Sequence, residues 1–342
     1  MGRIVNRIIM EEIRPATSEE WDRIWLSCDY GTFFHSREWA EIWSEYTNGF
    51  NKPFPHIVVF SDSKSALFPF TMQIRKKTIR NFFLTAEGQF GNWISEAELT
   101  KSHVEHLIKY LSEEFSNLVW RWNPYDPSSM HISPDCLSTL DCLYMVEEDE
   151  TYAVNLTCGF DGVVDRCYHG HQCSFRKATR EGLLLVLAET EEEWSEYYQV
   201  YLDSLRRWGE TALSKIEWDF FYMLFCRRSP NIKLWLVRYG STIIAGGLCF
   251  YSKKHIVCWH AANLEKYFSK RPMNFLFMEI MKYACASGYS WFDFNTSAHL
   301  NGVKTFKKRF GASELKCDMF YKKIKPIQSY ISLKNYYKKI LT

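Results

Sequence analysis

The sequence lacks any apolar stretch of about 18 residues or more, so it predicts no helix that spans a membrane. Residues 1–15 show neither a long apolar run nor a small-residue cleavage site, and we expect no signal peptide. The eleven cysteines are scattered and suggest no disulfide framework. These absences together predict a cytoplasmic protein with reduced thiols.

The chain also lacks a strong overall charge, because its formal net charge is only +2. The charge is nevertheless uneven: residues 304–342 hold eleven Lys and Arg against two acids. A basic end on an otherwise acidic chain predicts a polyanionic partner, such as a nucleotide-linked or lipid-linked precursor, tRNA or a membrane surface. A basic helix or tail at 326–342 that only aids solubility explains the same pattern.

The order of apolar patterns repeats between the two halves of the chain. Each half reads as helices, three strands, a loop, a helix and a last strand, although residue identity between the halves is low. With 342 residues and 46% apolar content, the chain is long enough for two packed cores. We therefore predict an α/β (α+β) protein with domains at 12–150 and 151–325, followed by the segment 326–342.

Residues 255–312 predict a strand, a polar loop, a helix, a second strand and a lysine-rich segment. The helix is indicated by apolar residues at helical spacing over 275–284, and Gly288 is placed to end it. In α/β proteins, ligands bind beyond the carboxyl end of such a strand, close to the start of the helix. The sequence therefore predicts the functional site in this region.

Several motifs in this region and before it resemble those of the FemAB-like family, which includes the Fem-type peptidoglycan-bridge aminoacyltransferases, within the GNAT acyltransferase superfamily. They are SFRKATREG at 174–182, Ala245–Gly247, RPMNFLFMEIMKYACASGY from Arg271, FDFNTS from Phe292 and GVKTFKKRFGA from Gly302. A weaker match, FFHSREWAEI, begins at Phe33. The resemblance implies two tandem GNAT-like domains, each a mixed, largely antiparallel sheet flanked by helices.

One departure from ordinary GNAT enzymes bears on the acyl donor. Their helix begins with a glycine-rich loop whose backbone N–H groups bind the pyrophosphate of coenzyme A. Here the equivalent residues 269–274 contain no glycine, and side chains hinder close approach of a ligand to the backbone. We expect no permanently bound cofactor, and the departure favours aminoacyl-tRNA over acyl-CoA as donor.

The resemblance and the chemistry of acyl transfer together indicate the candidate site residues. Lys307 lies in the family's FK pattern and is the first catalytic candidate, because an ammonium can stabilise developing negative charge or hold a phosphate. His260 and Asp293, at strand ends, are the other catalytic candidates. The predicted substrate-binding residues are Arg176, Arg271, Asn274, Asn295, Ser297, Lys304 and Arg309. Each has an ordinary structural explanation, in turn chemistry or in an exposed basic surface.

The sharpest competing motif is Cys167-x-His169-x-His171-x-Cys173, which has the ligand types of a zinc site. On a helix, however, Cys167 and His171 share one face, and His169 and Cys173 share nearly the opposite face. We therefore predict no metal. The resemblance instead implies an N-acyltransferase that transfers an aminoacyl or acyl group to an amine of a cell-envelope or polysaccharide precursor. A non-catalytic protein of the same fold, using its basic end to bind RNA or a membrane surface, is the alternative.

Overall fold

A computed structural model of the chain describes residues 8–75, 79–131, 143–209, 215–297 and 300–322. The chain divides into two compact units. The first runs to Asp149 and also includes the segment from Lys316 to the end of the described chain, and the second is Glu150–Leu315. Both units contain a mixed, largely antiparallel sheet flanked by helices, as predicted.

The helices of the described chain have the following bounds in chain order. They are α1 (Ser18–Ser27), α2 (Arg37–Tyr46), α3 (Lys101–Glu114), α4 (Gly159–Arg166), α5 (His169–Arg180), α6 (Glu191–Trp208), α7 (Trp218–Arg227), α8 (Pro272–Ala286) and α9 (Asn301–Lys308). None of these helices combines the length and the apolarity needed to cross a membrane.

The strands of the first unit form two sheets. They are β1 (Met10–Pro15), β2 (Lys52–Pro53), β3 (His56–Phe60), β4 (Ser65–Phe68), β5 (Thr71–Arg75), β6 (Ile79–Phe83), β7 (Phe90–Gly91), β8 (Leu118–Trp122) and β9 (Leu143–Glu147), and β17 (Met319–Lys322) joins them from the far end of the described chain. One sheet has the order β1-β3-β4, and the larger one has the order β2-β5-β6-β8-β17-β9, with β7 paired to β8. Helix α3 buries Val104, Leu107 and Leu111 in the core of this unit.

The second unit is built on a single sheet. Its strands are β10 (Glu150–Asn155), β11 (Leu184–Leu187), β12 (Ile232–Tyr239), β13 (Thr242–Tyr251), β14 (His255–Asn263), β15 (Trp291–Thr296) and β16 (Ser313–Lys316). Their order is β11-β12-β13-β14-β15-β10-β16, and β14 and β15 run parallel to each other. Helix α8 lies in the core with nine buried residues, as its almost continuous apolar pattern predicts.

Two neighbouring glycines in β13 allow helices to pack closely on opposite faces of this sheet. A Cβ added at Gly246 would lie 2.6 Å from the ring of Tyr197 in α6 and 2.8 Å from the carbonyl oxygen of Trp235. A Cβ at Gly247 would lie 3.3 Å from Leu276 of α8. Because successive residues of a strand face opposite sides, α6 and α8 cover different faces.

The structure differs from the sequence prediction in three places. The strand-like run that follows the turn residues 61–63 predicts one strand over 65–73, but the structure has two strands in different sheets there, because Pro69 has no N–H to continue a ladder. The sequence predicts one helix over 161–181 that Gly182 ends, but the structure has the two helices α4 and α5, since the Tyr168 N–H donates to the Arg309 carbonyl instead of continuing the first helix. The second predicted domain extends to residue 325, whereas β17 pairs with β8 and β9 of the first unit. The segment 326–342 lies outside the described residues.

Candidate functional site

The parallel strands β14 and β15 separate before either of them ends. Their pairing runs from His255 opposite Trp291 to Val257 opposite Asp293, whereas β14 continues to Asn263 and β15 to Thr296. Strand β14 also carries a bulge, because Leu248 faces His260 but Cys249 faces Cys258, leaving Trp259 as the extra residue. Bulges interrupt backbone pairing and are common beside active sites. The diverging ends form a slot at the position where α/β proteins bind ligands.

The corresponding slot of the first unit is filled by the chain itself. There the parallel strands β6 and β8 pair only at Phe82 with Leu118 and Phe83 with Val119. Beyond that point, β7 takes over the pairing with β8, with Phe90 opposite Arg121 and Gly91 opposite Trp122. This asymmetry places the candidate site in the second unit.

Helix α8 follows β14 in the chain, and its start is the other part of the candidate site. Arg271 is exposed and has a φ of +59° immediately before Pro272, the first residue of the helix. Asn274 is only 7% exposed, and its Nδ2 has no hydrogen-bond partner among the described residues. A helix N-terminus attracts negative charge, and an enclosed amide donor without a partner is costly unless a ligand uses it. Arg271 and Asn274 therefore lie together at the start of α8, and their role in substrate binding stays a prediction.

Lys307 lies in helix α9 with its ammonium buried against the end of β15. The residue is 8% exposed, and Nζ donates to the carbonyl oxygens of Asn295, at 2.8 Å, and Thr296, at 3.0 Å. A third bond of 2.9 Å reaches the Ser297 hydroxyl. An ammonium has three protons, and these three acceptors use all of them. The geometry shows Lys307 holding the segment that follows β15.

Asp293 anchors the same segment from the strand side. Its side chain is fully buried, and Oδ1 accepts hydrogen bonds from the Thr151 hydroxyl and from the Asn295 N–H, the latter at 2.7 Å. Asn295 has a φ of +61°, a conformation that asparagine tolerates better than most residues. The predicted residues Asp293, Asn295, Ser297 and Lys307 therefore form one connected network, with Thr151 as a member that the sequence did not indicate.

His260 lies on the other face of the sheet, away from α8. Its Nδ1 is 2.7 Å from the Tyr197 hydroxyl, and its ring packs edge-on against Tyr201 with centroids 4.5 Å apart. Burial lowers the pKa of His260 to about 4, so the ring is neutral at neutral pH. Because the bulge at Trp259 turns His260 toward α6, the structure does not bring this predicted base to the start of α8.

The remaining predicted basic residues have other neighbours. Lys304 forms an ion pair with Glu150, and the guanidinium of Arg309 lies 5.2 Å from the ring centre of Tyr168. Arg176 lines a groove of about 630 Å³ between α5 and α8, together with Arg180 and Lys282 among others. These three predicted substrate-binding residues are therefore not part of the network around Lys307, and their binding role stays a prediction.

The four residues of the Cys-His motif do not converge, because Cys167 lies in the break before α5 while His169, His171 and Cys173 lie within that helix. Cys167 is buried and close to the Arg309 carbonyl, and His171 packs against Phe310 with its Nε2 3.2 Å from the Phe306 carbonyl. Cys173 is exposed, with its sulfur 3.3 Å from His169 Nε2. Within the described ranges there is no group of three or more side chains that could hold a metal ion.

Comparisons with known proteins show what the chain is similar to. Residues 173–308 match the family model described as acetyltransferase (GNAT) domain. The matched range includes β14, α8, β15 and Lys307. A search of curated protein sequences found no match.

Solved structures of similar fold cover almost the whole chain. FemX is 12% identical with a TM-score of 0.69, over 91% of this chain and 97% of that one. L-PGS from Bacillus licheniformis is 13% identical with a TM-score of 0.58, over 96% and 98%. The C-terminal domain of a protein assigned as a lysylphosphatidylglycerol synthetase from Agrobacterium fabrum is 15% identical with a TM-score of 0.57, over 95% of each chain. At these identities the likeness concerns the fold.

Proposed function

We propose that this chain, which has a FemAB-like fold and carries a GNAT domain, is an N-acyltransferase acting on an amine of a cell-envelope or polysaccharide precursor. The observation that carries the proposal is the divergence of β14 and β15 beyond Val257 and Asp293, together with the enclosed and unpartnered amide of Asn274 in the first turn of the helix that follows β14. A folded protein gains little from such an amide unless a bound group accepts its hydrogen bond.

The reaction joins the nitrogen of the acceptor amine to the carbonyl carbon of the donor. The carbonyl oxygen gains negative charge as the new bond forms, and the bond to the donor's alcohol or thiol then breaks; the nitrogen loses one proton and the departing oxygen or sulfur gains one. Asn274 Nδ2 and the positive end of helix α8 are suited to stabilise that oxygen or a donor phosphate. Arg271 lies at the same helix end and supplies a charge for phosphate.

Lys307 serves this site as a positioning residue in our proposal. Its bonds to Asn295, Thr296 and Ser297 fix the chain beyond β15, where the polar groups of Asn295 and Ser297 are available to orient a substrate. Asp293 is engaged by Thr151 and by the backbone of Asn295, and His260 is neutral on the opposite face. The acceptor amine therefore has to reach the site unprotonated, and the rate should follow the pKa of that amine.

Aminoacyl-tRNA is the donor that the geometry favours, with acyl-CoA as the other candidate. The helix start has no glycine, and Arg271 occupies the left-handed conformation in which glycine would expose the backbone. The neighbour assigned as a lysylphosphatidylglycerol synthetase names an aminoacylated lipid as product, which is compatible with a lipid-linked or nucleotide-linked acceptor at a peripheral membrane surface.

The test is a transfer assay on the purified chain with two donor classes, charged tRNA and acyl-CoA. Sugar amines and peptide amines serve as acceptors, and mass spectrometry detects the N-acylated product. Asn274→Leu keeps the volume but removes the donor, so we expect kcat to fall about 10²-fold. Met273→Leu, one residue earlier, is the matched control and should keep full activity.

Two results would contradict the proposal. The first is no transfer from either donor class, and the second is transfer that does not change in Asn274→Leu. If the chain instead binds RNA or anionic vesicles without any transfer, the alternative of a non-catalytic binding protein is favoured. Salt dependence of that binding would identify an electrostatic interaction.

A further inference from the structure

A second group of polar side chains lies in the first unit, in the loop between β6 and β7. Glu87 has a φ of +59°, a backbone conformation that is unfavourable for glutamate. Glycine adopts a positive φ without strain, as the next residue, Gly88, does. The proposed transfer chemistry does not use Glu87, so its strained conformation calls for another explanation.

The surrounding structure holds the backbone of Glu87 in place from both sides. The Trp39 indole N–H donates to the carbonyl of Ala86 at 3.1 Å, and Arg121 Nε donates to the carbonyl of Gly88 at 2.9 Å. The Thr85 hydroxyl closes the loop by donating to the Gln89 carbonyl. Strained residues persist where the surroundings fix them in this way, and they concentrate at binding and catalytic sites.

The carboxylate of Glu87 is itself oriented by two amides. Asn51 Nδ2 donates to Glu87 Oε1 at 3.2 Å, and Gln73 Nε2 donates to Asn51 Oδ1 at 2.6 Å, which fixes the direction of the Asn51 amide. Glu87 is half-buried. No residue in the described part of the chain donates to Oε2, and that oxygen is not completely enclosed.

We propose that Glu87, oriented by Asn51 and Gln73, forms a binding site in the first unit for the ammonium group of an amine-bearing ligand. A partly desolvated carboxylate with one oxygen that is not completely enclosed is complementary to an N–H⁺ donor. Metal binding fits less well, because no group of three candidate ligands exists among the described residues. The site rests on the first unit alone and does not require the proposed transferase activity.

Proton exchange gives this site a measurable property. Burial raises the pKa of Glu87 to about 7, while the hydrogen bond from Asn51 acts in the opposite direction. A bound cation favours the ionised carboxylate, so binding of an amine near pH 7 should release protons. Affinity should therefore increase as the pH rises through 7, until the ligand amine itself loses its proton.

The experiment titrates the full-length protein by calorimetry with butylamine, glucosamine and Nα-acetyl-lysine. N-butylacetamide, N-acetylglucosamine and Nα,Nε-diacetyl-lysine are the matched uncharged controls. We expect at least one amine to bind more tightly than its acetylated counterpart and to release protons, as seen in buffers of different ionisation enthalpy. Glu87→Gln should weaken that binding about tenfold or more. Equal binding of every amine and its counterpart, or equal binding by Glu87→Gln, overturns the proposal.

A second measurement separates a binding role from a structural one. Glu87→Gly removes both the strain and the desolvated carboxyl, so we expect the Tm of the protein to rise while amine binding is lost. Ser63→Gly is the matched control, since Ser63 has a φ of +66° in an exposed turn and contributes to no polar cluster. A Tm for Glu87→Gly below that of the Ser63→Gly variant would mean that the carboxylate serves the fold, and would refute the assignment.

Discussion

Replacement of Lys307 by methionine tests whether this lysine is a solvated catalytic group or a buried part of the fold. The substitution keeps most of the aliphatic chain but removes the ammonium from three acceptors. A hydrogen bond from a charged donor contributes about 1.5–3 kcal/mol, and water can replace part of this at the half-buried Asn295 and Thr296 carbonyls. We therefore expect Lys307→Met to lower the free energy of unfolding of the second unit by about 3 kcal/mol.

The assay combines chemical denaturation with hydrogen exchange followed by mass spectrometry. Exchange should accelerate in peptides covering 291–308, because the end of β15 and helix α9 lose their shared anchor. Lys308→Met is the matched control one residue later in the same helix. Lys308 is 53% exposed in an ion pair with Glu314, so its loss should cost less than about 1 kcal/mol.

The reasoning fails if Lys307→Met and Lys308→Met destabilise the protein equally. It also fails if Lys307→Met abolishes transfer while exchange in 291–308 stays unchanged, because Lys307 would then act directly on the substrate. Lys307→Arg should not restore full stability, since a planar guanidinium does not reproduce the directions of the three ammonium protons.

Two further predictions concern the opposite face of the sheet. Gly246→Ala should destabilise the second unit by about 1–3 kcal/mol in chemical denaturation, because the new Cβ would collide with Tyr197. Gly247→Ala, at the adjacent and less crowded position, is its control and should cost less. The pKa of His260 in the folded protein is about 4, which is below its ordinary value. Its neutral ring therefore stabilises the fold at pH 7, and this contribution is lost as the pH falls from 6.5 toward 4. The difference in stability between wild type and His260→Asn should shrink by about 3 kcal/mol across that interval; a difference independent of pH would contradict the assignment.

Local patterns in the sequence were sufficient to predict the main elements of the second unit. The apolar spacing of α8, the glycine after it and the strand beginning at Trp291 all lie where predicted. They also place Asn274 at the start of α8 and Lys307 in the segment after β15, because order along the chain determines which elements border a strand end. These features depend on neighbours within about one helix or strand.

The features that were not predicted depend on distant partners or on one-residue irregularities. The bulge at Trp259 shifts the alternation of β14, so His260 faces α6 although strand position alone placed it at the cleft. The acceptors of Lys307 are mainly backbone carbonyls. Every residue type has a carbonyl, so the sequence does not reveal these hydrogen bonds. Glu87 was not indicated, because neither a positive φ nor a buried carboxylate can be recognised in a loop that contains glycines. Strand β17 joins its sheet through pairing with β8, which is far away in the sequence.

The two units differ in how they complete the space between their parallel strands, and this difference should appear in their thermodynamics. In the first unit, β7 pairs with β8 beyond the end of the β6–β8 pairing, so the space between the parallel strands is already filled by the chain. The second unit should gain stability only when a substrate enters, by about 2.7 kcal/mol at a free concentration one hundred times the Kd. In the Glu87→Gln variant, which lacks the proposed amine site of the first unit, a donor or acceptor that binds the slot should therefore raise the unfolding transition of the second unit and leave that of the first unchanged. Thermal unfolding with each candidate substrate can thus identify the ligand before any turnover has been detected.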